Sequence, residues 1–181
     1  MKTGKLLVAT PVVLGDPNFH RAVVLMVDHK TSGSLGFILN KKIEYTLNEV
    51  MEGIDSEFPL FFGGPVDPDS LFYIHSYGSE IPKSIPISNN LFWNGDFDVI
   101  TKRIRSGKLS SDKIRFFLGY SGWGEGQLEE ELSQKSWEPF DVKSQTELIK
   151  RPSVTMWQEC MTALGGKYVM WSNAPENPRF N

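Results

Sequence analysis

Residues 119–129, "GYSGWGEGQLE", bring together the side chains from which a site could be built. Gly119, Gly122, Gly124 and Gly126 follow an apolar, strand-like run and precede a helix-like one. At such a junction backbone N–H groups can cradle an anion. The spacing is G-x-G-x-G rather than the G-x-G-x-x-G of dinucleotide-binding turns, and no Gly-Lys-Ser/Thr ending completes a phosphate loop. Glu125, Glu129, Glu130 and Glu131 would complement a helix dipole but repel a phosphate. A nucleophile elbow needs G-x-S-x-G, and Ser121 has the right context but its second glycine comes one place early. Two readings stay open for the segment. It is a glycine-dependent turn packed under Trp123, or a ligand or partner pocket in which Tyr120, Trp123 and Gln127 supply flat surface and hydrogen bonds.

General acid–base work would fall to His75 or Glu129, given a pKa set near neutrality by burial or a charged neighbour. The simpler role for His75 is structural. His20 and His29 flank one strand-like run, and no H-x-x-x-H or C-x-x-C pair exists, so neither a metal nor a cofactor is expected. The single cysteine, Cys160, lies in a helical apolar pattern and reads as packing; it excludes an intramolecular disulfide and suits a reducing compartment. In "FGGPV", Gly63 and Gly64 need unusual backbone angles before the rigid Pro65, for a turn or for a ligand close to the backbone. Asp67 and Asp69 read as a solvated turn rather than an acid–base pair.

The elements that must position these residues alternate irregularly. Residues 5–9 and 21–29 read as strands, the second apolar enough to be covered on both faces. "DPNF" is a turn between them. A loop of about four residues turns the second strand into "LGFILN" as a hairpin. Thr46 and Glu49 form a capping box for a short helix ending near Gly53. "PLFFGGP" and "SLFYIHS" are strands on either side of a Pro/Asp turn, and "SIPIS" is an edge strand because Pro86 cannot donate to a central ladder. Asp96 caps a helix with Phe97, Ile100 and Ile104 on one face, stopped by Gly107. "KIRFFLGY" is a strand feeding the glycine segment, with a helix beginning near Gln127. Ser144 and Glu147 suggest a second capping box. Pro152 opens a long helix whose Val154, Trp157, Met161 and Leu164 form a docking stripe, ended by Gly165 and Gly166. "KYVMW" reads as a last strand, and residues 171–181 as a loose tail. Antiparallel neighbours with scattered helices give an α+β class.

The chain of 181 residues fits one domain, 1–181. Its 19 basic against 22 acidic residues give a net charge of -3, which disfavours direct nucleic-acid binding, because phosphate contacts need a basic face. The one basic cluster, Lys102 to Arg105, reads as a solvated helix face, and no helix-turn-helix with a basic recognition helix is apparent. No apolar run reaches the roughly 20 residues of a membrane span. Pro11 and Asp16 cut the N-terminal apolar run too short for a signal peptide, so a cytoplasmic, non-membrane protein is expected.

Several segments in order, "GKLLVATPVVLGDPNFHRAVVLMVDHKTSGSLGFILNK", "FFGGPV", "LFYIH" and "FLGYSGWGEGQLEEEL", resemble the AlgH/YqgE family of bacterial proteins over nearly the whole chain. The motif positions are Asp16, Pro17, Phe19, Arg21, His29, Asn40, Gly63, Gly64, Pro65, His75, Gly119, Tyr120, Trp123, Gly126, Gln127 and Glu129. The resemblance implies an α+β fold with a mixed, largely antiparallel sheet curled into a pseudo-barrel with flanking helices. It implies a cytosolic protein labelled a transcriptional regulator, and it brings no catalytic set. Many members close with a Gly-His-Ala segment where this chain has "NPRFN". The expected function is therefore a non-enzymatic binding or regulatory protein that recognises an unknown protein or small molecule. The candidate surface is Gly63, Gly64, His75, Gly119, Tyr120, Trp123, Gly126, Gln127 and Glu129. The alternatives are an enzyme using His75 and the 119–127 segment, or a direct DNA-binding regulator.

Overall fold

The computed structural model describes residues 2–13, 15–142, 144 and 146–174. Its strands are β1 (Leu6–Ala9), β2 (Val23–Lys30), β3 (Gly33–Ile38), β4 (Lys42–Thr46), β5 (Pro59–Phe62), β6 (Val66–His75), β7 (Ile85–Ser88), β8 (Leu91–Trp93), β9 (Ile114–Trp123) and β10 (Trp137–Phe140). The helices are α1 (Leu47–Val50), α2 (Phe97–Arg105), α3 (Gln127–Ser133), α4 (Glu147–Lys150), α5 (Ser153–Leu164) and α6 (Lys167–Ser172). The sheet runs β10-β1-β2-β3-β9-β6-β8-β7, with β5 also paired to β9 and β4 paired to β5. Only the β5–β9 pair is parallel among these ladders. The expected α+β class and largely antiparallel sheet are what the pairing gives. The sheet does not close: β10 and β7 end the path. It bends instead, so that Ile87 of β7 shares a core with Leu25 and Val27 of β2. No helix among the described residues is long and apolar enough to cross a membrane.

Both faces of the sheet are covered. Leu6, Val8, Val23, Leu25 and Val27 face one layer, where Leu148 and Ile149 of α4 and Met156, Trp157, Cys160 and Met161 of α5 lie over them. The alternate residues Leu7, Ala9, Val24 and Met26 face the other side, under Leu128 of α3. Farther along that side, Ile100 and Ile104 of α2 cover Leu60, Tyr73 and Phe116. The period-two alternation of buried apolar residues explains why β2 reads as an unbroken apolar run.

β9 is the axis. At Phe116, Phe117 and Leu118 it pairs with β5 on one edge and β6 on the other, although β5 and β6 are separated by only three residues. Gly63, Gly64 and Pro65 therefore carry the chain across the face of β9. Gly63 N–H donates to Leu118 O at 2.8 Å, and its carbonyl accepts from Ile38 N–H at 2.9 Å and from the Ser121 hydroxyl at 3.0 Å. A Cβ on Gly64 would lie 2.3 Å from the Tyr120 carbonyl, and one on Gly119 would lie 2.4 Å from the Gly64 carbonyl. These glycines let backbone lie on backbone.

Arg115 of β9 ties the helical layer to the sheet. Its buried guanidinium donates to the carbonyls of Leu39 (2.9 Å), Ile149 (2.6 Å) and Arg151 (2.9 Å) and sits 4.5 Å from the Phe61 ring. It thereby satisfies carbonyls at the end of α4 that the helix leaves unpaired. Burial pulls its pKa down to about 10, so the side chain stays charged at neutral pH.

The structure corrects several local expectations. β9 continues through Trp123, so Gly119 and Gly122 belong to a strand and only residues 124–126 form a loop. Asp67 and Asp69 lie in an irregular stretch of β6, where the register shifts between Val66 and Leu71, rather than in a turn between strands. The β2–β3 hairpin closes on Thr31 and Ser32, because Lys30 pairs with Gly33. β4, β8 and β10 are strands too short and mixed to stand out in the sequence. The segment "KYVMW" is helical: Gly165 and Gly166, both at positive φ, reverse the chain, and the Tyr168 hydroxyl donates to the Glu138 carboxylate. Pro152 is the cap of α5 rather than its first residue, which leaves Val154 89% exposed and puts Met156, Trp157, Cys160 and Met161 on the buried stripe. Thr146 rather than Ser144 stands before α4, with no side-chain cap bond. Of the expected tail, residues 175–181 lie outside the described residues. Ala174 is tied down, its carbonyl accepting from Arg21.

Two sets of variants test this framework by urea unfolding. Arg115→Met leaves the carbonyls of Leu39, Ile149 and Arg151 without this donor and should cost about 3–5 kcal/mol. Gly64→Ala and Gly119→Ala should each cost more than about 3 kcal/mol, because the clash is with backbone that cannot yield. Gly126→Ala should cost only about 1–2 kcal/mol for its left-handed conformation, since nothing lies within 4 Å of its added carbon. Equal losses at Gly64 and Gly126 would contradict the crossing.

Candidate functional site

Trp123 ends β9 facing α3, and its surroundings are organised by Glu131. The indole N–H groups of Trp123 (2.9 Å) and Trp137 (2.7 Å) donate to the same carboxylate oxygen of Glu131. Gln127 donates to the other oxygen at 2.9 Å and accepts the Gly124 N–H at 3.0 Å. Phe19 lies stacked on Trp123 and edge-on to Trp137, with centroids 6.5 and 5.4 Å apart. Gly126, at φ 73°, is the left-handed residue that starts α3. This arrangement fixes the loop: Trp123 is 5% exposed and its polar tip is already engaged. Tyr120 points to the opposite side of the sheet, packed edge-on to Phe72 at 5.5 Å. Tyr120 and Trp123 thus do not share one flat surface. Glu131, which the sequence marked only as one of several helix carboxylates, is the organising group.

Gly63, Gly64 and Gly119 meet at the backbone crossing beneath Tyr120. Glu129 is exposed; one of its oxygens lies 3.9 Å from His29 Nε2, while His29 Nδ1 is 2.8 Å from the Ser34 hydroxyl. His75 is elsewhere. It pairs with Ile114 at the start of β9, nine residues from Trp123, or roughly 30 Å along a strand. It is fully buried, stacked on Phe92 at 5.8 Å. Its Nε2 is 2.9 Å from both the Asn94 carbonyl and the Ser84 hydroxyl, and the hydroxyl itself donates to Ile81 O at 2.7 Å. Nδ1 accepts the Tyr77 N–H at 3.3 Å. These bonds suit a neutral imidazole protonated at Nε2. The candidate residues therefore fall in three places rather than one.

A cavity of about 630 Å³ opens on another side, lined by Pro17, His20, Arg21, Asn40, Lys41, Lys42, Ser153, Val154, Trp157 and Gln158. Its floor is held rigidly. The Asp16 carboxylate accepts the Asn18 N–H (2.8 Å) and the Phe19 N–H (3.3 Å), which closes the expected turn. Arg21 follows at φ 52°, a left-handed conformation rare for a long side chain. Asn40 clamps it there: its amide donates to Arg21 O at 2.8 Å and its oxygen accepts the Val23 N–H at 2.8 Å. The Arg21 guanidinium lies 4.8 Å from the Trp157 ring, whose indole donates to Ala9 O at 2.8 Å. Lys41 donates to Pro17 O at 3.0 Å. Sequence reading gave Asp16 and Pro17 a turn but placed Arg21 and Asn40 only among the motif positions, because nothing local shows that residue 21 meets residues 40 and 157. Among the described residues no three His, Cys, Asp or Glu side chains group to hold a metal. Cys160 is buried on the core-facing side of α5, and burial pushes its thiol up to about 11.

Burial holds the His75 pKa below its ordinary 6.5, although the bond to Asn94 opposes this. The unfolded chain thus takes up a proton there more readily than the folded one. The stability that His75 contributes is present above about pH 6.5 and is lost as pH falls through the folded-state value. Urea midpoints compared at about pH 7.5 and about pH 5.5 should fall for the native chain and fall less for His75→Gln. Equal losses would assign the pH effect to other groups.

The AlgH-like family model, DUF179, matches residues 6–169. A UPF0301 protein of Cytophaga hutchinsonii is 46% identical over 180 residues, 98% of each chain. One from Bacteroides fragilis is 43% identical over 98% of this chain and 90% of that one. The solution structure of the AlgH protein from Pseudomonas aeruginosa has a TM-score of 0.74 at 27% identity, covering 95% of this chain and 93% of that one. A crystal structure of a Corynebacterium diphtheriae protein has a TM-score of 0.77 at 20% identity, covering 96% and 93%, and shows the shared fold. The match over residues 6–169, with a relative 46% identical over 98% of each chain, shows that the chain belongs to the AlgH-like family.

Proposed function

We propose that the protein is a non-enzymatic binding protein with a regulatory output, one domain working in the cytoplasm without direct DNA contact. Its ligand is a small molecule held in the cavity between the turn 16–21, residues 40–42 and the first turns of α5. The cavity carries this reading. Its volume of about 630 Å³ lies within the range of small-molecule sites, and Asn40 and Trp157 are fixed by hydrogen bonds before any ligand arrives. Gly63, Gly64, Gly119 and Trp123 are not among the residues that line it. A regulatory output is in keeping with the wall itself. Ser153, Val154, Trp157 and Gln158 come from α5, so a bound molecule bears directly on the helix that covers the main core.

The test is thermal unfolding of the native chain and of Ser153→Trp, which narrows the cavity, against a panel of metabolites. A ligand at about 100 times its Kd adds roughly 2.7 kcal/mol, which raises the midpoint by about 5–10 °C at this size. The expected result is a compound that shifts the native chain and leaves the folded variant unmoved. Equal shifts in both would place the ligand elsewhere, and no shift with any compound would overturn the small-molecule reading.

A further inference from the structure

We infer that His75 is a proton-operated latch on residues 76–84: uptake of a second ring proton releases this segment while the rest of the fold stays closed. The latch consists of two ring nitrogens that hold different pieces of chain. Nδ1 accepts the N–H of Tyr77, the residue that opens the turn Gly78–Glu80. Nε2–H points at the Asn94 carbonyl and the Ser84 hydroxyl, and that hydroxyl donates onward to Ile81 O. The neutral imidazole thus binds both ends of the segment. A proton added at Nδ1 sets one N–H against another, so the Tyr77 bond is lost and a charge stands in a buried, largely aromatic site.

The surroundings do not compensate that charge. Besides Phe92, the ring has Tyr73 and Tyr77 as neighbours, at centroid distances of 6.0 and 6.3 Å. Arg103 of α2 and Lys113 before β9 lie over the Tyr77 ring at 5.1 and 5.6 Å and make the region more positive. The nearby carboxylates are engaged: Glu80 pairs with Arg103 at 2.8 Å and Asp96 with Lys83 at 3.4 Å. Among the described residues no carboxylate pairs with His75. The backbone supplies a second, separate observation. Gly78 and Lys83 in the segment and Asn94 beside it all stand at positive φ, and for Lys83 and Asn94 such a conformation persists only while surrounding bonds over-determine it. Beyond His75 the segment is tied by Ser76 N–H to Lys113 O at 3.0 Å, by Asp96 N–H to Pro82 O at 2.8 Å, and by the Tyr77 hydroxyl, which accepts the Ser110 N–H at 2.8 Å. Release of the latch uncovers Tyr77 and Ile81, both buried in the closed form.

The open segment returns the ring to water and to its ordinary pKa of 6.5, above that of the buried form. The open form therefore takes up the proton more readily. Each pH unit below about 6.5 raises its population by at most tenfold, until the closed-state pKa is reached. Amide hydrogen exchange of the full chain, corrected for the intrinsic pH dependence of exchange, reads this opening. Between about pH 6.5 and about pH 5.5, protection of the Tyr77 and Ile81 amides should fall several-fold, and by no more than about tenfold. At the lower pH their exchange should be insensitive to low urea, the mark of a local opening. The Met26 and Leu39 amides, bonded within the sheet, should stay better protected and exchange with full urea dependence. In His75→Gln, whose amide can donate but does not titrate, the pH dependence of the segment should vanish. If that variant fails to fold, the ring nitrogen shifts of native His75 decide, and they should pass from the Nε2–H tautomer to the doubly protonated ring as protection falls. Equal urea sensitivity at Tyr77 and Met26 would make the opening global and overturn the latch. So would protection that does not change with pH, a pH dependence that survives in His75→Gln, or ring shifts that stay constant while protection falls.

Discussion

The architecture depends on one close approach: the peptide of Gly64 lying on the peptide between Tyr120 and Ser121. β9 needs neighbours on both edges to bury Phe116 and Phe117, and the chain supplies both from residues 59–75. It can change edges within three residues only by passing over the strand, at a distance no Cβ allows. The hydrogen bonds of Gly63 to Ile38 and Ser121 then close the gap between β3 and β5. The sheet on which every helix rests is thus organised around two glycines and a proline.

Polar groups that might have been reactive are used to fasten the layers above that sheet. Glu131 gathers two indole donors and an amide, which locks α3 to β9 and β10. Arg115 gathers three carbonyls, which locks α4 to the centre of the sheet. Each is a charged group surrounded by partners of opposite polarity, and that is the condition under which burial of charge is tolerated. Arg21 follows the same logic at the surface, where the stacked ring and the Ala174 carbonyl define its direction.

Much of the framework was legible because its causes are local. The double-sided burial of β2 is written in its unbroken apolar run. The capping of α2 by Asp96 is a short-range bond, with Asp98 N–H 3.2 Å from the carboxylate. Pro86 marks the edge strand β7. The site was less legible because its causes are distant. Gly119 looks like a loop glycine until Gly64 is placed against it, and Trp123 looks available until Glu131 and Trp137 surround it. His75 ends its strand as expected but meets Asn94 and Ser84 there. "KYVMW" has strand-like composition, and only the packing behind Gly165 and Gly166 makes it helical. Arg21 joins three segments that no spacing rule connects.

The bond from Arg21 to the Ala174 carbonyl spans 153 residues, and β1 finds its outer neighbour only when β10 has been made. At a synthesis rate of roughly 5–20 residues per second, about eight to thirty seconds separate the emergence of Arg21 and Ala174. Until β10 emerges, β1 has an open edge, and until Trp157 emerges the wall it forms does not exist. The protein is therefore assembled late, as a whole, and a nascent chain stalled before residue 150 holds the arginine without the ring it lies against.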